Sequence, residues 1–152
     1  MNKITIHINK EQVWNEVAKT ANYTGDKMVG DETAYERIML TDADAEEWQR
    51  FWEESASVAN DEVKDMLIST SAIADDYNIE LEVSKFFDSA LLPSVEASLR
   101  SYFILSIVSK WYMFCNKGEA QAYATEAVAM LADAMRKLYS RKRPTRPNRI
   151  NK

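Results

Sequence analysis

Two side chains that could act in catalysis occur only once in this sequence, the imidazole of His7 and the thiol of Cys115. A nucleophilic thiol needs a neighbouring base, so a Cys and His pair would have to join the first strand to the end of a central helix. Free cysteine is more often a small buried side chain than a nucleophile. We therefore interpret His7 as a residue on a strand face and Cys115 as a core residue, and we predict no catalytic site.

Acidic side chains could instead bind a metal, and Asp42, Asp44 and Glu46 alternate in TDADAEEW in the manner of a calcium loop. The turn glycine and the distal bidentate glutamate of such a loop are missing. Acidic residues at a helix start, where the helix dipole favours them, explain the stretch better. With three glycines in the chain, no phosphate-binding loop can be built either. The sequence predicts no metal, no cofactor and no enzyme.

Basic residues are concentrated in the last stretch of the sequence, RKLYSRKRPTRPNRINK. Residues 136–152 carry eight of the nineteen Lys and Arg and no carboxylate. Residues 1–135 carry all twenty-four acidic residues and a net charge of −13. We divide the chain into an acidic body, residues 1–140, and an extended basic arm, residues 141–152.

The prolines give the basic arm a preferred conformation. Pro144 and Pro147 fix their own φ and bias Arg143 and Arg146 towards extended geometry, which favours polyproline II. With three residues per turn, Arg143, Arg146 and Arg149 would lie on one face, roughly 9 Å apart. Such a ladder suits carboxylates in a protein groove, or phosphates. The alternative is a solvated terminus without a partner.

Two strands are predicted from residues that alternate between apolar and polar. Ile4, Ile6 and Ile8 define the first, and NIELEV, residues 78–83, defines the second. If the two strands pair, acidic residues of the second come close to Lys3 and His7.

Four helices are predicted from apolar spacing. Asn9 caps the first, Gly25 ends it, and residues 23–31 follow as a loop. Thr41 caps a long second helix whose apolar side runs from Trp48 and Trp52, interpreted as core residues, to Leu67. The third begins near Pro93 and is closed by Gly118. The last carries a close-packing seam and should form an antiparallel hairpin with the third; the seam residues are Ala120, Ala124, Ala127, Leu131, Ala134 and Leu138.

These elements predict one mainly α domain, a bundle of about four helices with a small two-stranded β element and the basic arm. The length of 152 residues and the 46% hydrophobic content fit a single globular core. The first residues lack the apolar run of a signal peptide, and the lone cysteine fits a reducing compartment. We therefore expect the protein to be released into a cytoplasm and not secreted. Residues 102–115 are too short for a membrane span and contain Lys110, which indicates a buried helix.

An acidic, mostly helical body with a basic arm resembles the head-tail connector proteins of tailed bacteriophages. The stretch WYMFCNKGEAQAYATEAVAMLADAMRKLYSRKRPTRP, together with EEWQRFWEESA, resembles ring or adaptor proteins of short-tailed phages related to the crAss-like group that infects Bacteroides. A purely helical adaptor would lack the two predicted strands, which are a departure from the pattern.

The resemblance implies a structural virion protein that assembles in the bacterial cytoplasm as a ring, commonly a dodecamer, at the junction of portal and tail. It implies a basic arm that docks on the portal protein or on a neighbouring tail ring, DNA that passes through the lumen without specific binding, and no membrane. The implied docking residues are Arg141, Lys142, Arg143, Pro144, Arg146, Pro147, Arg149 and Ile150. The alternative is a nucleic-acid-binding or regulatory protein whose arm grips phosphates.

Overall fold

The computed structural model describes residues 2–27 and 45–144, with side chains described for residues 2–21 and 45–144. Within this part, 66% helix and a small three-stranded antiparallel sheet confirm the predicted mainly α class. In chain order the elements are β1 (Asn2–Ile8), α1 (Lys10–Lys27), α2 (Ala45–Glu62), β2 (Leu67–Thr70), β3 (Tyr77–Val83), a 3-10 turn (Ser89–Leu91), α3 (Leu92–Cys115) and α4 (Lys117–Leu138). The predicted cap at Thr41 and the acidic residues Asp42 and Asp44 lie outside the described residues.

The two predicted strands pair as expected. β1 runs antiparallel to β3, with Ile6 opposite Ile79 and both side chains buried. On the polar face, Lys3 Nζ lies 3.9 Å from Glu80 Oε1, which confirms the expected approach of an acidic residue to Lys3. Both partners are exposed, so this ion pair adds little stability.

A third strand, β2, was missed, and the long second helix was predicted to extend too far. The helix ends at Glu62, and the chain turns so that the amide of Met66 donates to the carbonyl of Val63 at 2.9 Å. The carbonyl of Met66 then accepts from the amide of Glu82 at 2.7 Å, which joins the chain to β3. Val63 and Met66 are nevertheless buried, so their apolar spacing suited a helix equally well.

Both predicted glycine stops were wrong. α1 begins as expected, with the amide of Gln12 donating to Asn9 Oδ1 at 2.9 Å, but it passes through Gly25 to Lys27. Residues 23–27 of the predicted loop are therefore helical, and residues 28–31 lie outside the described residues. Gly118 lies inside α4, and the break falls at Asn116, whose φ is −155° and ψ is 65°. This φ is extended backbone that any residue can adopt, so the turn between the helices requires no glycine.

α3 is the central helix, and it packs on α1, α2, α4 and β1. Its buried residues occur on several sides and include Leu99, Phe103, Ile107 and Tyr112. By length and composition alone, Ser89–Cys115 could also cross a membrane, but its packing is that of a core helix.

The aromatic side chains of α2 belong to the core, as predicted. Trp52 is fully buried and stacks on Phe103 of α3 with ring centroids 4.6 Å apart. Trp48 is also buried and packs between Trp52 and Trp14 of α1. These rings join α1, α2 and α3, and the ring of Phe103 also lies 5.0 Å from that of Tyr77 in β3.

α3 and α4 form the predicted antiparallel hairpin. Near the turn, the rings of Tyr112 and Tyr123 lie 5.2 Å apart, and far from it Ser98 Oγ donates to Asp133 Oδ2 at 2.8 Å. Of the six predicted seam residues Ala124 is half-buried, and the others are buried, namely Ala120, Ala127, Leu131, Ala134 and Leu138.

The seam predicts that Ala134→Leu destabilises the protein. Ala134 is fully buried, so a larger side chain must displace its neighbours at a cost of roughly 1 to 3 kcal/mol. Ala129 lies exposed on the same helix, so Ala129→Leu is a matched control that should change stability by less than about 0.5 kcal/mol. Urea unfolding followed by circular dichroism measures both; equal stability of the two variants would contradict the packing of the hairpin.

Asp133 predicts an acid-sensitive contribution to stability. Its carboxylate accepts from Lys137 Nζ and Arg136 Nη2, each at 2.6 Å, and from Ser98 Oγ. Hydrogen bonds from Lys137 first, then from Arg136 and Ser98, hold the pKa of Asp133 well below its ordinary 3.8. A depressed folded pKa stabilises the protein above the unfolded pKa, and this stability is lost as the pH falls below about 4.

The test is to compare the wild type with Asp133→Asn by urea unfolding between neutral and acid pH. The free energy of unfolding of the wild type should exceed that of the variant at neutral pH. The gap should close as the pH falls below about 4, since protonation removes the same charge. A gap that is independent of pH would show that the Asp133 charge contributes nothing.

Candidate functional site

The structure describes the first four of the predicted docking residues and not the rest. Arg141, Lys142, Arg143 and Pro144 are exposed and follow α4 without helix or strand structure. The other four, Arg146, Pro147, Arg149 and Ile150, lie outside the described residues, so the arginine ladder stays a prediction.

The base of the basic arm is hydrogen-bonded to the body. α4 ends at Leu138, and Ser140 Oγ donates back to the carbonyl of Lys137 at 2.7 Å. Two residues later the amide of Lys142 donates to the carbonyl of Phe86 at 2.7 Å. Phe86 lies in the turn that follows β3, where the amide of Phe87 donates to the carbonyl of Ser84 at 2.9 Å. This contact fixes the place where the arm leaves the body.

A groove of about 650 Å³ lies between this turn and the arm, and we call it the arm groove. Its lining consists of Lys85, Phe86, Phe87, Arg141, Lys142, Arg143 and Pro144. Among these described residues there are four cations and no carboxylate. The arm groove can therefore attract anionic groups, while its aromatic residues offer apolar contact.

The two phenylalanines of the turn have opposite environments. Phe87 is buried in the core and anchors the turn, whereas Phe86 is 51% exposed. Lys85 Nζ lies 5.0 Å from the centroid of the Phe86 ring, within the range of a cation–π contact. Lys85, Phe86 and Phe87 were not among the docking residues predicted from the sequence. The signal available was the pair Phe86–Phe87 directly after an alternating strand, where adjacent side chains tend to face opposite ways.

A second polar cluster surrounds His7. Its Nε2 lies 3.2 Å from Asp76 Oδ2, while Asp76 Oδ1 accepts from the amide of Lys10 at 3.0 Å. These two contacts, the amide of Lys10 first, lower the pKa of Asp76. Lys10 Nζ also donates to the carbonyl of Ala74 at 2.8 Å and to Gln49. The cluster therefore holds the turn before β3 against the start of α1, which is a structural role.

The lone cysteine lies at the end of α3. Cys115 is half-buried, and its Sγ lies 3.5 Å from the carbonyl oxygen of Trp111 on the same helix. His7 lies on β1 and contacts Asp76, whereas Cys115 lies at the end of α3 and contacts Trp111. Across residues 2–27 and 45–144, no group of three or more His, Cys, Asp or Glu is placed to hold a metal ion.

Comparison with protein-family models, with curated proteins and with solved structures gave no match. The fold and the site define a mainly helical protein with a small antiparallel sheet and a cationic groove at the base of a basic arm.

Proposed function

We propose that this protein is a structural subunit of a phage head-tail connector, a ring or adaptor protein that docks on the portal or on a neighbouring ring through its basic arm. The observation that carries the proposal is the hydrogen bond from the Lys142 amide to the Phe86 carbonyl, at 2.7 Å. An arm whose base is already fixed loses less conformational entropy when it docks than a freely moving terminus does.

The charge distribution supports the same function. Residues 1–135 carry a net charge of −13, and exposed carboxylates such as Glu11, Glu47 and Glu62 lie on α1 and α2. A wall with this charge repels phosphates, which suits a conduit through which DNA must slide. The cations of the arm are then left to bind acidic protein surface.

Electron cryomicroscopy of the native particle tests this proposal. We expect several copies of the chain around the axis at the portal and tail junction, with the arm in contact with the portal or an adjoining ring and the acidic faces towards the lumen. Particles that lack the chain would contradict the proposal. Acidic faces that point away from the lumen would overturn the idea that the body repels the phosphates of the passing DNA.

Binding to duplex DNA tests the alternative, a protein whose arm grips phosphates. The isolated subunit should show little affinity for a labelled duplex. A phosphate-gripping arm would instead bind at low salt and lose affinity with a log-log slope of about −0.9 per phosphate contact. That result would replace the connector with a nucleic-acid-binding protein.

A further inference from the structure

The arm groove brings together residues that are far apart in the chain. Lys85 comes from the turn after β3, whereas Arg141, Lys142 and Arg143 come from the arm. Among the described residues, the nearest carboxylate in sequence is Asp88, and its Oδ1 accepts from the amide of Ala90 at 3.0 Å as the cap of the 3-10 turn. None of the described lining residues is a carboxylate, so the four cations have no acidic partner within that part of the lining.

Phe86 is held in place by its neighbours. Its carbonyl accepts from Lys142, its amide lies 3.2 Å from Ser84 Oγ, and the adjacent Phe87 is buried. Since the backbone is fixed on both sides, the half-exposed ring is presented to the groove at little further entropic cost. Aromatic and arginine side chains are enriched in protein interfaces, where a few anchors contribute most of the binding free energy.

We propose that the arm groove binds an acidic peptide segment that carries one large apolar side chain, supplied by a partner protein. The apolar side chain packs on the ring of Phe86, and flanking carboxylates pair with Lys85, Arg141 and Arg143. This inference rests on the proposed function, because it names the chemistry of the surface on which the arm docks. It also adds Lys85 and Phe86 of the body to the docking site.

Two observations favour a peptide over a single-stranded nucleic acid. Proteins that bind single strands provide several aromatic rings for successive bases, whereas the described lining has one exposed ring, that of Phe86. Where a polynucleotide left the groove towards residues 1–135, which carry a net charge of −13, its phosphates would also be repelled. A short acidic peptide, by contrast, can lie entirely within the groove, next to its four cations.

Fluorescence anisotropy of the full-length protein tests the proposal with a fluorescein-labelled peptide of Glu and Asp residues around a single Phe. Phe86→Ala should weaken binding about tenfold, the effect of losing one interface anchor. Phe114→Ala is the matched control, because Phe114 is also exposed, at the end of α3, and binding should be unchanged. A peptide with Ala in place of its Phe should show the same loss, and no further loss with Phe86→Ala.

The charges are tested in the same way. Lys85→Gln should weaken binding several-fold, whereas Lys117→Gln removes an equally exposed charge at the start of α4 and should have no effect. Circular dichroism checks that each variant is folded, which is expected because all four substituted side chains are exposed. Equal binding by Phe86→Ala and Phe114→Ala would overturn the proposal. Tighter binding of a labelled oligothymidylate than of the peptide would also overturn it.

The outcomes separate this proposal from the connector function. Peptide binding that depends on Phe86 would support the groove even if the chain proves absent from phage particles. Suppose that deletion of the arm abolishes incorporation into particles, but Phe86→Ala leaves peptide binding unchanged. This result would support the connector function and place the docking contacts elsewhere on the arm.

Discussion

A variant that lacks residues 141–152 should keep its fold and fail to join the assembled particle. The described residues of the arm are exposed, and α4 ends before them at Leu138. Among the described residues of the arm, the amide of Lys142 donates to the carbonyl of Phe86 in the body, and the loss of this hydrogen bond should lower the free energy of unfolding by only about 1 kcal/mol. Circular dichroism and urea unfolding measure the fold, and immunoblotting of purified particles measures incorporation.

Replacing Arg143, Arg146 and Arg149 together by Gln should nearly match the deletion. Each charge-assisted contact contributes roughly 1.5 to 3 kcal/mol, and repetition around a ring multiplies the loss. A matched control removes three exposed charges of the body instead, by Lys19→Gln, Lys64→Gln and Lys117→Gln, and should leave incorporation unchanged.

Two outcomes would contradict the role of the arm as a tether. An arm-less protein that enters complete particles at normal occupancy would show that docking uses another surface. An arm-less protein that unfolds would show that the arm stabilises the body. The hydrogen bond between Lys142 and Phe86 would then be one of the contacts through which it does so.

The elements that sequence analysis predicted correctly are those whose signals are local. The alternation of Ile4, Ile6 and Ile8 and that of residues 78–83 gave both strands, because a half-buried strand repeats every two residues. The side chain of Asn9 satisfies the amide of Gln12 three residues on, which makes the start of α1 visible in the sequence. The alanine seam of α4 was equally clear, since it depends on one helix face.

The features that sequence analysis missed depend on contacts between distant residues. β2 is four residues long and mostly exposed, so no apolar alternation marks it, and its pairing with β3 decides its conformation. The arm groove depends on the meeting of Phe86 and Lys142, which are separated by two helices. The positive charge of the arm is visible in the amino-acid composition. The place where the base of the arm contacts the body is visible only in the folded structure.

The core substitution with the largest expected effect is Trp52→Ala. Trp52 is fully buried, and its ring packs on Phe103 of α3 and edge-on against Trp48. Its Nε1 donates to the carbonyl of Asp75 at 2.9 Å, so it also holds the turn that leads into β3. Truncation leaves a cavity and an unpaired carbonyl, and the free energy of unfolding should fall by roughly 3 to 5 kcal/mol.

Two further variants separate the packing of Trp52 from its hydrogen bond. Trp52→Phe keeps most of the ring but leaves the carbonyl of Asp75 without its donor, and it should cost about 1 to 3 kcal/mol. Val58→Ala, at a half-exposed position of the same helix, should cost less than about 0.5 kcal/mol. Urea unfolding followed by circular dichroism measures all three, since tryptophan fluorescence itself changes with the substitution. If Trp52→Ala lowered the free energy of unfolding no more than Val58→Ala does, the result would contradict the packing of α2 on α3 and the contact of Trp52 with the turn before β3.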